Sequence, residues 1–233
     1  MSDFSCAVVD ETNILGTVQK MNSDGFAVME NIFSEDTISS LFSLCMKNYV
    51  DSLNVIASRS LHFGIGVKNG FKEIVQRHKL RFEIPHGMDC DLVNCCASNS
   101  ILQRLKFEIL GEGAVVVNKS FVISLPGTEV INKYLSYVHF YSSDNLGFFL
   151  YVKNQGWHTD GPHLSMAENL PCHCFNIFIP LIDISLEHGP TQFRPGSHLL
   201  TRNFQKSMLI GFAKKTLRPL EAPCLSKGSM LLV

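Results

Sequence analysis

The stretch QGWHTDGPHL at residues 155–164 decides the fold, because it places His158 and Asp160 two positions apart. In an extended strand, residues i and i+2 project from the same face. An imidazole and a carboxylate at this spacing can bind one metal ion together, and two histidines with one carboxylate are the typical protein ligands of non-haem iron(II). The pair alone is weak evidence, since a solvated or hydrogen-bonded pair at a strand end has the same pattern.

Further stretches around the pair occur in a recognisable order. DGFAVMENIFS at residues 24–34 precedes it, and FNIFIPLID at 175–183, EHGPT at 187–191 and PGSH at 195–198 follow it. In order and type these stretches resemble the phytanoyl-CoA dioxygenase family. The resemblance extends from about residue 20 to residue 233 and is interrupted at residues 130–153.

The resemblance implies a double-stranded β-helix (jelly roll) with Fe(II) and 2-oxoglutarate as cosubstrate. His158 and Asp160 then correspond to two of the three iron ligands. The implied reaction decarboxylates 2-oxoglutarate to succinate and CO₂ and hydroxylates a small organic or acyl substrate. Asn176 lies on the strand that faces the metal in the family, so it is a candidate contact for 2-oxoglutarate. A core polar residue with a backbone partner is an equally good interpretation of Asn176.

The family's third ligand is a later histidine, followed by an arginine that pairs with 2-oxoglutarate. The final residues, GSMLLV at 228–233, resemble the strand that leads toward that histidine. We therefore expect a jelly roll that is incomplete at the C-terminus, and impaired oxygenase activity. His198 in the PGSH loop is expected to be structural, and His163 is expected to point away from the pair.

Two other interpretations of function stay open. One is a catalytically inactive jelly-roll domain that binds a ligand or partner without turnover. The other is a gene product whose true form is a complete enzyme.

Residues 130–153 differ in composition from the rest of the chain, since four of the five tyrosines fall there. Without them the sequence would run PGTE-NQGWHTDG, as in the family. We predict an insertion in an otherwise single domain of residues 1–233, and a retained intron translated in frame is one hypothesis for its origin. On composition alone, an ordinary pair of aromatic strands explains the segment equally well.

The order of elements indicates an α+β fold that is mainly β behind a helical front layer. We predict a strand at residues 26–30, a helix capped by Ser34, a helix at 98–109, and strands at 114–125 and 172–183. The inward face of the first helix is expected to contain Ile38, Leu41, Phe42, Cys45 and Tyr49. Helices followed by short strands with turn residues favour a β-sandwich or jelly roll.

Composition indicates which kinds of partner and which cellular location to expect. The net charge of −1 does not favour nucleic acid or an anionic membrane, so a small-molecule substrate is expected. No signal peptide or membrane-length apolar run is recognisable, which predicts an intracellular protein, cytoplasmic or peroxisomal, with reduced cysteines. The Cys172-His173-Cys174 stretch lacks the paired spacing of a zinc site, and we interpret its thiols as buried and apolar.

Overall fold

The structure is a computed structural model. It describes residues 11–59, 75–78, 81–85, 90–124, 137–139, 158, 160–161, 164–165 and 170–233. Among these, helices and short antiparallel strands occur together, which agrees with the α+β prediction. Closure into a jelly roll stays a prediction.

The described chain begins with a helix and a short strand. Helix α1 spans Glu11–Asp24, and strand β1 spans Ala27–Met29, inside the strand predicted at residues 26–30. Gly25 joins them at a φ of +85°, a left-handed conformation that glycine adopts without strain. The sequence did not predict α1, because Gly16 and its Asn and Ser residues weaken the local helical pattern.

Helix α2 spans Glu35–Ser58 and begins where the sequence predicts. The Ser34 side chain accepts a hydrogen bond from the Thr37 backbone N–H at 3.3 Å, which confirms the predicted N-cap. The buried stripe consists of Ile38, Leu41, Cys45 and Tyr49. Phe42 was wrongly placed on it: this side chain is 38% exposed, because it lies one position beyond Leu41 at the margin of the stripe.

Two shorter helices follow later in the chain. Helix α3 spans Asp91–Ala97 and helix α4 spans Ser100–Leu110, which confirms the helix predicted at 98–109 within two residues at its start. The Asn99 side chain caps α4 by accepting hydrogen bonds from two backbone N–H groups at 3.0 and 3.3 Å. Residues 101, 102 and 105 form its buried stripe.

The strands form two antiparallel sheets. The remaining strands are β2 Val75–His78, β3 Arg81–Pro85, β4 Ser120–Ser124, β5 Tyr137–His139, β6 Ile177–Phe178 and β7 Met230–Leu232. Their orders are β2-β3-β4-β5 and β1-β7-β6. Helix α5, Phe204–Ala213, lies between β6 and β7 in sequence.

Both long predicted strands are shorter in the structure. Residues 114–119 are irregular, with Val115 and Val117 exposed, and only β4 remains of the strand predicted at 114–125. The strand predicted at 172–183 is reduced to β6, which pairs with the three-residue β7. Pro180 follows β6 and has no N–H to donate, so the ladder does not continue.

The four-stranded sheet has one apolar and one polar face in its central strands. Phe82 and Ile84 on β3 belong with Phe121 and Ile123 on β4 to the core shared with the helices. On the opposite face, Glu83 of β3 and the β4 residues Ser120, Val122 and Ser124 are also buried. Among them, the Ser120 hydroxyl donates a hydrogen bond to Glu83 Oε1 at 3.0 Å.

The segment predicted as an insertion contributes β5. This strand pairs with β4, with His139 opposite Ser120 and Tyr137 opposite Val122. The other residues of 130–153 lie outside the described residues, so the insertion stays a prediction. None of the helices in the described ranges is long and apolar enough to cross a membrane.

Candidate metal site

His158 and Asp160 lie side by side, as their spacing predicts. His158 Nε2 is 3.3 Å from Asp160 Oδ1, and the two side chains are 50% and 23% exposed. The backbone differs from the prediction, because residues 160–161 form a bend and neither His158 nor Asp160 belongs to a strand. The side chains therefore converge without the straight strand that the prediction assumed.

The distance between these two atoms fits a shared metal ion. Metal–nitrogen and metal–oxygen bonds to protein ligands are about 2.0–2.2 Å long, so two donors at right angles around one ion are about 3 Å apart. The 3.3 Å between His158 Nε2 and Asp160 Oδ1 is close to that value. A hydrogen-bonded His–Asp pair would also have this separation. The types of donor atom present at the site therefore decide which chemistry it can support.

Only two donors of this kind come together within the described ranges. No group of three His, Cys, Asp or Glu side chains suited to a metal ion occurs there. His163 lies outside the described residues. The described site is thus one nitrogen and one carboxylate oxygen, with the other coordination positions open to further ligands.

Asn176 contacts the carboxylate of Asp160. Its side-chain Nδ2 donates a hydrogen bond to Asp160 Oδ2 at 2.6 Å. Its backbone pairs with Val233, through N–H to O at 2.8 Å and O to N–H at 3.0 Å. The backbone partner foreseen for Asn176 is therefore present, and a contact with 2-oxoglutarate stays a prediction.

Cys174 lies beneath the same loop. A Cβ atom added at Gly161 would be 2.8 Å from Cys174 Sγ, so the loop approaches this thiol closely. Burial raises the pKa of the Cys174 thiol, and the nearby Asp160 carboxylate raises it further. Both effects favour the neutral form of this thiol. Sequence reasoning missed this contact, although Cys174 and Asn176 have the i, i+2 spacing of one strand face.

His198 has the structural role predicted for it. Its Nε2 lies 3.2 Å from the backbone oxygen of Asn22 at the end of α1. A Cβ at Gly25 would be 2.5 Å from the His198 ring, so glycine is required there by space as well as by conformation. The PGSH loop thus packs against the junction between α1 and β1.

An unpredicted ion-pair cluster stands at the same junction. The buried carboxylate of Asp24 accepts from Arg218 Nη1 at 2.6 Å and from Lys20 Nζ at 2.7 Å. These bonds, the Arg218 contact first, hold the pKa of Asp24 well below its usual range. The backbone oxygen of Asp24 also accepts from the Gly196 N–H at 2.9 Å. The cluster ties residues that are far apart in sequence to the PGSH loop.

The other sequence candidates are placed as follows. Cys172 and His173 are exposed and Cys174 is half buried, so the interpretation of buried thiols was wrong for Cys172. This difference follows from the shortened strand, since residues 171–176 are irregular. Arg81 is half buried at the start of β3.

Solved structures of known enzymes share this fold. HygX from Streptomyces hygroscopicus, with nickel, 2-oxoglutarate and hygromycin B bound, has a TM-score of 0.52 and 14% identity, over 94% of this chain and 76% of that chain. The epimerase SnoN from nogalamycin biosynthesis, in complex with Fe³⁺, alpha ketoglutarate and nogalamycin RO, has a TM-score of 0.52 and 12% identity, over 96% and 74%. At these identities the likeness concerns the fold.

The alpha ketoglutarate-dependent carbocyclase SnoK is a third similar structure, with a TM-score of 0.50 and 15% identity, over 93% of this chain and 72% of that chain. The sequence model described as phytanoyl-CoA dioxygenase (PhyH) matches residues 148–233. This range contains His158, Asp160 and Asn176 and the blocks that follow them. Residues 148–233 thus have the phytanoyl-CoA dioxygenase sequence pattern, in agreement with the resemblance predicted from the motifs.

Proposed function

We propose that this protein is an Fe(II)- and 2-oxoglutarate-dependent oxygenase that hydroxylates a small organic or acyl substrate. The observation that carries the proposal is the 3.3 Å approach of His158 Nε2 to Asp160 Oδ1. It lies within the range that matches the phytanoyl-CoA dioxygenase family. The similar structures of HygX and SnoN contain a transition metal together with 2-oxoglutarate, which supports the same pairing here.

In this proposal His158 Nε2 and Asp160 Oδ1 hold the iron. One neutral nitrogen and one anionic oxygen suit a divalent iron, and ligands from one side leave positions open for cosubstrate and O₂. The bound iron, together with 2-oxoglutarate, supplies the oxidation of an unactivated C–H bond. The chain's own residues position the two ligands, and Asn176 donates a hydrogen bond to the carboxylate of Asp160.

The proposed architecture is a double-stranded β-helix. Two antiparallel sheets and the likeness to HygX and SnoN support it. A small-molecule substrate is proposed because HygX and SnoN are similar structures whose complexes contain hygromycin B and nogalamycin RO. The net charge of −1 agrees with a substrate other than nucleic acid.

A second candidate is a domain that binds 2-oxoglutarate or a related ligand without turnover. It is favoured by the finding that the described residues bring two metal donors together and no third. Two protein ligands hold iron weakly, so we propose that turnover by this chain is slow.

The test measures succinate formation from 2-oxoglutarate by the purified chain with Fe(II), beside binding of 2-oxoglutarate in the presence of Co²⁺. We expect metal-dependent binding and slow succinate formation, both lost in His158→Ala and Asp160→Ala. His173→Ala is the matched control, because this exposed histidine lies outside the pair. Binding without any succinate would favour the second candidate, and metal-independent behaviour in all variants would refute both.

A further inference from the structure

The two carboxylate oxygens of Asp160 have different neighbours. Oδ1 faces His158 Nε2 at 3.3 Å, whereas Oδ2 accepts the hydrogen bond from Asn176 Nδ2 at 2.6 Å. Since an ionised carboxylate only accepts, the amide nitrogen of Asn176 must be the group turned toward it. The carboxylate is therefore oriented, with one oxygen held and the other directed to the histidine.

Asn176 is well placed to hold this orientation. Its side chain is buried, with 7% of the residue exposed, and both of its backbone hydrogen-bonding groups are paired with Val233. The pair continues the ladder between β6 and β7, so the amide is attached to the sheet. Asp160, in contrast, lies on a bend, and its side chain accepts the hydrogen bond from this amide.

We infer that Asn176 is a positioning residue that holds Oδ2 of Asp160, so that this carboxylate binds the metal through Oδ1 alone. The inference rests on the proposed iron site. Binding through both oxygens would require Oδ2 to turn toward the metal and to break its hydrogen bond with Asn176. Hydrogen-bond partners of metal ligands fix ligand direction in this way, and their loss typically weakens metal affinity by about 10- to 100-fold.

The role assigned to Asn176 differs from direct contact with 2-oxoglutarate. A positioning residue affects the metal site before any cosubstrate is added. Metal affinity measured without 2-oxoglutarate therefore separates the two roles, and it does not depend on turnover.

The experiment titrates Co²⁺ into the purified chain and records affinity and the visible absorption of the bound ion. Asn176→Leu keeps the branching and the number of side-chain heavy atoms but cannot donate, and we expect about 10- to 100-fold weaker Co²⁺ binding with an altered absorption band. Asn176→Ala serves as the second variant if leucine disturbs folding. Asn94→Leu is the control, because Asn94 belongs to α3 and accepts a hydrogen bond from Lys119.

The outcomes separate this inference from the function on which it rests. If Asn176→Leu and Asn176→Ala bind Co²⁺ within about twofold of the unmodified chain while His158→Ala does not bind it, the positioning role is wrong and the iron site stands. If the unmodified chain binds Co²⁺ no better than His158→Ala, the iron site itself is refuted. A lowered melting temperature with unchanged Co²⁺ affinity and absorption would also overturn the positioning role, because it would show a structural role only.

Discussion

Replacing Gly161 with alanine tests how closely this residue, which follows Asp160, approaches Cys174. The added Cβ would lie 2.8 Å from Cys174 Sγ. Non-bonded heavy atoms are normally about 3.5–4.0 Å apart, so the loop or the thiol must move by roughly 0.7–1.2 Å. The φ of Gly161 does not lie in the left-handed range, so alanine is strained there by space and not by backbone conformation.

The displacement falls on a residue bonded directly to Asp160. Overpacking of this kind typically costs about 1–3 kcal/mol of stability. A shift of about 1 Å in a positioned group can reduce function by about 100-fold. We therefore expect Gly161→Ala to weaken Co²⁺ binding by about 10- to 100-fold, because Asp160 Oδ1 moves away from His158 Nε2.

A double-mutant cycle isolates the cause. Cys174→Ala removes the sulfur that the new methyl group would meet, so the variant carrying both changes is expected to regain most of the lost Co²⁺ affinity. Cys174→Ala alone is the control and should bind nearly as well as the unmodified chain, since the proposed ligands are His158 and Asp160. Affinity in Gly161→Ala equal to that of the unmodified chain would refute the reasoning, as would a double variant that remains as weak as Gly161→Ala.

Two further predictions concern stability. The pKa of Asp24 is lowered in the folded protein, and the hydrogen bond from Arg218 is the largest cause. The ionised carboxylate therefore stabilises the fold fully above the unfolded-state pKa of about 4, and this stabilisation is lost as the pH falls through the pKa of the folded state. Asp24→Asn should thus lower the free energy of unfolding by about 1–3 kcal/mol at pH 7. Denaturant titration near pH 3 should show a smaller difference in this free energy between the variant and the unmodified chain. A difference that does not change with pH would contradict this prediction. Leu41→Ala should cost about 2–5 kcal/mol, since Leu41 is fully buried, whereas the neighbouring and more exposed Phe42→Ala should cost clearly less in the same titrations. Equal losses of unfolding free energy in the two variants would show that Phe42 also belongs to the inward face.

Local signals were sufficient for the features that depend on neighbouring residues. The Ser34 cap was predictable because its partner is the Thr37 backbone three residues away. The approach of His158 to Asp160 was predictable for the same reason, although the backbone between them is not a regular strand. Helix α4 followed from the spacing of its own apolar residues.

Features that depend on distant partners were not predictable in the same way. Residues 114–119 have strand-like composition, yet a strand exists only where another backbone pairs with it, and β4 begins at Ser120. The hydrogen bond from Asn176 to Asp160 joins residues 16 positions apart. Asp24 and Arg218 meet across 194 positions, and nothing near either residue in sequence indicates the other.

The central claim is that His158 and Asp160 bind iron. Anomalous diffraction from crystals of this protein, grown without oxygen in the presence of Fe(II) and 2-oxoglutarate, tests it most directly. We predict one iron peak about 2.0–2.2 Å from both His158 Nε2 and Asp160 Oδ1, with Asn176 still hydrogen-bonded to Asp160 Oδ2. An iron peak away from these two side chains, or no peak in their vicinity, would contradict it.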